Sequence, residues 1–170
     1  TTGIKPHSKG HQIISASVAT SEDFVYVFMM PKNKRDRQPF IELLQNNLVG
    51  KMAHNMKFEN TWSLIRLKTE VKNWQFDSML AAHILDNRAG ITGLKFQAFI
   101  NFGVQDYSEE ISSYLTGGEK DANAKNRIEE LVKTQEGINK LLNYNALDSI
   151  YEYRLAMLQM KQMNYSFLPF

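Results

Sequence analysis

The chain has 170 residues, of which 43% are hydrophobic and 22% are charged, and its formal net charge is +2. This length and balance predict one globular domain, residues 1–170, with its own core. No segment approaches the roughly 20 consecutive apolar residues of a membrane-spanning helix, and a charge of +2 does not by itself indicate a nucleic-acid partner. The absence of cysteine excludes disulfides, zinc–thiolate sites and thiol nucleophiles, and fits a reducing compartment.

Two β-rich runs, 11–19 and 23–31, are separated by a polar tripeptide, a pattern that predicts an antiparallel hairpin. Helices and short strands are then expected to alternate. They are a helix at 38–47 with Pro39 near its first turn, a strand at 50–55, a helix at 59–68, a strand at 71–76 and a helix at 77–86.

From about residue 89 the chain is predicted to be mostly helical, and its last helix is expected to run from about 136 to 163. A Gly- and Asn-containing stretch around 115–127 is expected to be a mobile loop. This order of elements predicts an α/β domain with a mixed sheet. Functional side chains are therefore expected where strands end, near residues 1–4, 53–59 and 77.

Polar residues occur at these positions and on the last helix. Asn55 and Glu59 flank a predicted strand-to-helix junction, and Asp77 begins a helix, where an acidic residue usually acts as an N-cap. Tyr144 and Asp148 are four residues apart, so they share one face of the last helix, close to its apolar stripe.

Together these stretches resemble the 3′–5′ exonuclease (proofreading) domain of family A DNA polymerases, a branch of the DEDD superfamily with a ribonuclease H-like fold. The family motif Asn-x-x-(Phe/Tyr)-Asp is matched by residues 55–59, and Phe-Asp-Thr-Met-Leu is matched by residues 76–80. Tyr144 and Asp148 match the third motif, Tyr-x-x-x-Asp. The short format is similar to that of phage enzymes, so a bacterial or phage-infected cytoplasm is expected.

The resemblance implies hydrolysis of phosphodiester bonds at single-stranded DNA 3′ ends with two divalent ions, Mg²⁺ or Mn²⁺. Asp148 and Glu59 would be metal ligands, and Tyr144 would orient the attacking water. The implied substrate contacts are Asn55, Ile4, Phe58 and His54. All four have alternatives in the residues themselves. Ile4 is equally well a loop residue tucked into the core, and a lone His54 is more often structural. Phe58 is more often a core aromatic, and Asn55 could instead fix the local turn.

Two departures from the family pattern affect the expected activity. Position 59 is Glu where the family usually has Asp, which lengthens a metal-binding side chain by one methylene. The family's first motif, Asp-x-Glu, is absent, and the chain opens on the Thr-Thr-Gly that commonly follows it. The first, central strand is therefore expected to be missing from this chain, which predicts a distorted sheet or a replacement strand and an inactive fragment.

Three functions are open on this sequence. The first is a proofreading exonuclease domain that joins a polymerase domain in a longer chain. The second is an exoribonuclease similar to RNase D, and the third is a catalytically silent nucleic-acid-binding or scaffold domain. A basic segment at 31–39 could steer a phosphate backbone, although such a charge run is more often merely solvated.

Overall fold

A computed structural model describes residues 1–116 and 123–165 of the chain. Over this range the protein is a mixed α/β structure, as predicted. Its strands are β1 (Ser15–Ala19), β2 (Val25–Met29), β3 (Lys51–Ala53) and β4 (Trp74–Asp77). Its helices are α1 (Lys34–Gln45), α2 (Met56–Trp62), α3 (Ser78–Leu85), α4 (Leu94–Phe102), α5 (Ser112–Leu115), α6 (Ile128–Leu131) and α7 (Gln135–Gln162).

The predicted hairpin is confirmed. Strands β1 and β2 are antiparallel, with Ser15 opposite Met29 and Ala19 opposite Val25. One face of β1 is fastened to α7 by polar side chains: the Asn145 side-chain amide donates to Ser15 Oγ at 2.8 Å, and Ser17 Oγ donates to the Asn145 carbonyl at 2.9 Å.

The strands form two separate pairs instead of one mixed sheet. β3 and β4 are parallel to each other, and neither is hydrogen-bonded to β1 or β2 within the described residues. Each strand therefore has a partner on only one side. Helix α7 packs against β1, β2 and β3, so it connects the two pairs.

Helix α1 begins earlier than predicted. Asn33 is its N-cap and accepts a hydrogen bond from the Asp36 N–H at 2.8 Å, so the helix starts at Lys34. Pro39 consequently lies inside the helix and not in its first turn. Because proline has no N–H, the carbonyl four residues earlier loses its helical donor there.

Helix α2 also begins three residues earlier than predicted. Asn55 has left-handed backbone angles, φ 71° and ψ 62°, and its side chain accepts from the Phe58 N–H. The helix continues after Trp62 as a π-helical turn, Ser63–Leu67, which Lys68 ends in the left-handed conformation.

Two apolar clusters form the core, and α7 contributes to both. The first contains Ile14, Ile111, Ile128, Leu131 and Leu141, and the second contains Phe76, Ala81, Ala156 and Met160. Part of the predicted loop, 117–122, and the apolar tail 166–170 lie outside the described residues. Among residues 1–116 and 123–165, no helix is both long and apolar enough to cross a membrane.

Candidate functional site

Asp77 fixes the junctions at the carboxyl ends of β3 and β4. Its carboxylate accepts backbone hydrogen bonds at the start of α2, from Asn55 (3.2 Å) and Met56 (2.8 Å). It also accepts from Met79 (2.9 Å) and Leu80 (3.2 Å) at the start of α3. Asp77 is therefore an N-cap, as its position predicts, and it holds two helix ends together.

Glu59 lies one turn into α2, directly after Phe58. The residue as a whole is solvent-exposed, but the surrounding protein desolvates its carboxylate. This desolvation raises the pKa of Glu59, and the Asp148 charge raises it further, although the two residues belong to different helices.

Asp148 is held by two tyrosines. The Tyr107 hydroxyl donates to Asp148 Oδ1 at 2.7 Å, and Tyr144, one turn earlier on α7, also hydrogen-bonds the carboxylate. Burial raises the pKa of Asp148, while both hydroxyls and the nearby Lys95 ammonium lower it. Burial and the Asp148 charge raise the pKa values of both tyrosines far above the ordinary value. Both phenols are therefore hydrogen-bond donors and not bases at neutral pH.

Glu152, one turn after Asp148, is a third carboxyl in this region. Its Oε1 is buried and has no hydrogen-bond partner. Burial raises the pKa of Glu152 to about 8, with a contribution from the Asp77 and Glu59 charges, and the Ser78 hydroxyl opposes the rise.

Ser78 is fully buried and also contacts His54, whose Nδ1 lies 3.0 Å from Ser78 Oγ. His54 is thereby directed into the interior, and burial lowers its pKa.

The donor chemistry of Glu59 and Asp148 fits a hard divalent cation. Both side chains are carboxylates, and neither forms an ion pair with a cationic residue within the described part of the chain. However, residues 1–116 and 123–165 contain no group of three or more His, Cys, Asp or Glu side chains arranged to hold a metal ion. Two carboxylates alone fit one ion with several waters better than the pair of ions that the resemblance implies.

An apolar pocket of about 260 Å³ lies against α2. It is lined by three of the four predicted substrate contacts, Ile4, Asn55 and Phe58, together with Pro6, Lys57, Thr61 and Trp62. Ile4 is 67% exposed, so the alternative prediction that it is tucked into the core is wrong. His54 does not line this pocket.

Three residues of the site were not predicted: Tyr107, Glu152 and Lys95. Tyr107 is distant in sequence from Asp148, and no local motif marks it. Glu152 shared a helical face with Tyr144 and Asp148 at four-residue spacing, and that repetition is the signal that could have indicated it.

Comparison of the sequence with protein-family models finds no match, and comparison with curated proteins finds no significant similarity.

Proposed function

We propose that this chain is a 3′–5′ exonuclease domain that acts on single-stranded DNA ends. The observation that carries the proposal is the apolar pocket against α2, the helix that also carries Glu59. A terminal base packed between Ile4 and Phe58 would hold the end of the strand against this helix. Aromatic side chains of this kind stack on bases of any sequence.

The acidic residues have a consistent assignment in this proposal. Glu59 and Asp148 would hold the divalent ion, Mg²⁺ or Mn²⁺. When bound, the ion would supply charge stabilisation and activation of water. Tyr144 would orient the attacking water through its hydroxyl oxygen, which can accept from the water while its hydrogen is donated to Asp148. Tyr107 would keep the Asp148 carboxylate in position. Lys95 would moderate the charge around Asp148.

The ribonuclease H-like fold belongs to the same proposal. An antiparallel pair and a parallel pair, connected by α7, are compatible with a single mixed sheet if one strand lies between β1 and β3. The Thr2 N–H donates to the Gln12 carbonyl at 3.1 Å, and the Gln12 N–H donates to Thr2 Oγ1 at 2.8 Å, so the first residues are hydrogen-bonded to the segment just before β1.

A silent nucleic-acid-binding domain is the second candidate. It is favoured by the lack, within the described residues, of a metal-binding group with three or more ligands. The same pocket would then bind a strand without hydrolysing it.

An exonuclease assay on 5′-labelled single-stranded DNA separates the two. The chain and a version extended upstream would be compared in Mg²⁺ and Mn²⁺, with Asp148→Ala in the extended form and Asp86→Ala as a matched carboxylate control. Stepwise shortening by the extended protein, lost only in Asp148→Ala, supports the exonuclease. No shortening by a folded extended protein, with DNA bound in the absence of metal, selects the silent domain. Shortening of RNA but not of DNA selects the exoribonuclease.

A further inference from the structure

A second pocket, of about 350 Å³, is lined mainly by cationic and polar groups. We call it the basic pocket. Its lining comes from the segment before β1, the end of β2, helix α1 and the π-helical turn, and consists of Gly10, His11, Gln12, Ile13, Met30, Pro31, Lys32, Arg37, Arg66 and Leu67. It thus contains three permanent cations and no acidic side chain.

These three cations have no acidic counter-charge. None of Lys32, Arg37 and Arg66 takes part in an ion pair within the described residues. Other arginines of the chain do: Arg88 pairs with Asp86 and Arg127 with Glu130. The charge of the basic pocket is therefore available to an anion.

The two guanidinium groups are nevertheless held in place. Arg37 donates to the carbonyls of Asn33 and Lys32, and Arg66 Nη2 donates to the Ser8 carbonyl at 2.6 Å. These acceptors fix the side chains but leave the positive charge uncompensated. Arg66 Nε is also buried without a hydrogen-bond partner. Fixed guanidinium groups of this kind are suited to phosphate oxygens.

We infer that the basic pocket binds backbone phosphates of the same single strand whose end enters the apolar pocket; this rests on the proposed function. The two pockets share structural elements. Arg66 follows Trp62 of the apolar pocket by four residues, in the π-helical turn that continues α2. The segment 4–13 lines the apolar pocket with Ile4 and the basic pocket with Gly10 and His11. One strand can therefore contact both.

The test is binding of a fluorescent single-stranded oligothymidylate to the full chain in EDTA, followed by anisotropy at several salt concentrations. The variant is Arg37→Gln/Arg66→Gln, and the matched control is Arg88→Gln/Arg127→Gln, which loses the same net charge at ion-paired positions. We expect the basic-pocket variant to bind at least tenfold more weakly. The slope of log binding constant against log salt concentration should become less steep by about 1.4, because each lost phosphate contact on a single strand accounts for about 0.7. The control should match the parent chain.

Equal affinity and equal slope in both double variants would overturn the inference. Circular dichroism checks folding, and if the Arg66 change prevents folding, Lys32→Gln/Arg37→Gln provides the same test with changes confined to the rim of the pocket. Displacement of the oligonucleotide by millimolar pyrophosphate is expected from a phosphate site. Binding of pyrophosphate without any binding of the oligonucleotide would reject the polynucleotide as ligand.

These outcomes are separate from those of the nuclease assay, because EDTA prevents metal-dependent hydrolysis. A chain that binds DNA through Arg37 and Arg66 but never shortens it keeps this inference and loses the exonuclease. A chain that shortens DNA with both arginines replaced, at undiminished affinity, keeps the exonuclease and loses this inference.

Discussion

Glu152 retains its proton to an unusually high pH because its carboxyl is buried close to other acids. Its folded-state pKa is about 8, above the ordinary 4.5. Between these values the unfolded chain releases the proton that the folded chain keeps, so unfolding becomes easier as pH rises. The slope reaches at most about 1.4 kcal/mol per pH unit. This dependence is opposite in sign to that of an ion-paired carboxylate.

Replacing Glu152 by Gln should therefore stabilise the protein at pH 8 and change little at pH 4.5. Glutamine keeps the shape of the neutral acid and cannot ionise. Urea unfolding at pH 4.5, 6 and 8 measures the effect, with Glu42→Gln on the exposed side of α1 as control. Equal pH profiles for the parent chain and Glu152→Gln would contradict the assigned environment.

Tyr107→Phe should destabilise the protein by about 1.5 kcal/mol, the range for a hydrogen bond to a charged group. The lost bond is the one to Asp148 Oδ1. Since that bond favours the charged carboxylate, its removal raises the pKa of Asp148. The loss should shrink in acid, where Asp148 is protonated in both proteins. Tyr151→Phe is the matched control, because its ring packs on Tyr107 with 5.6 Å between centroids. A cost that is the same at every pH would show that the Tyr107 hydroxyl does not favour the charged form of Asp148 over the neutral form.

At the scale of the elements, one carboxylate sets the geometry of the site. Asp77 accepts four backbone N–H groups from the first turns of α2 and α3 and thereby fixes the helix that carries Phe58 and Glu59. Asp77→Ala should cost about 2 kcal/mol or more, since a single N-cap is worth about 1 kcal/mol. Urea unfolding measures this cost. Asp86→Ala, at the exposed opposite end of α3, should cost less than about 1 kcal/mol. If Asp77→Ala and Asp86→Ala lower the free energy of unfolding by similar amounts, Asp77 caps only one helix in solution.

Elements were predictable where the determining signal is local. The hairpin, the Asp77 cap and the extent of α7 follow from alternation, capping chemistry and helical periodicity over neighbouring residues. The start of α1 was missed because Asn33, its cap, lies within a charged segment that resembles a loop. The bond between Tyr107 and Asp148 depends on how α7 packs against a distant loop, and no local pattern encodes that.

At the scale of the whole molecule, the two strand pairs are connected mainly through α7, because β1 and β3 each pair with one strand only within residues 1–116 and 123–165. Unpaired strand edges are weakly protected and can pair with other chains.

If the proposed fold is correct, a version extended upstream through one more strand should supply partners for β1 and β3. Amide exchange in both strands should then slow at least tenfold, while exchange in β2, the outer strand of its pair, changes less. Hydrogen-exchange mass spectrometry of the two proteins measures this. Equal exchange in β1 and β3 with and without the extension would mean that the added segment does not enter the sheet, and the ribonuclease H-like arrangement would be rejected with it.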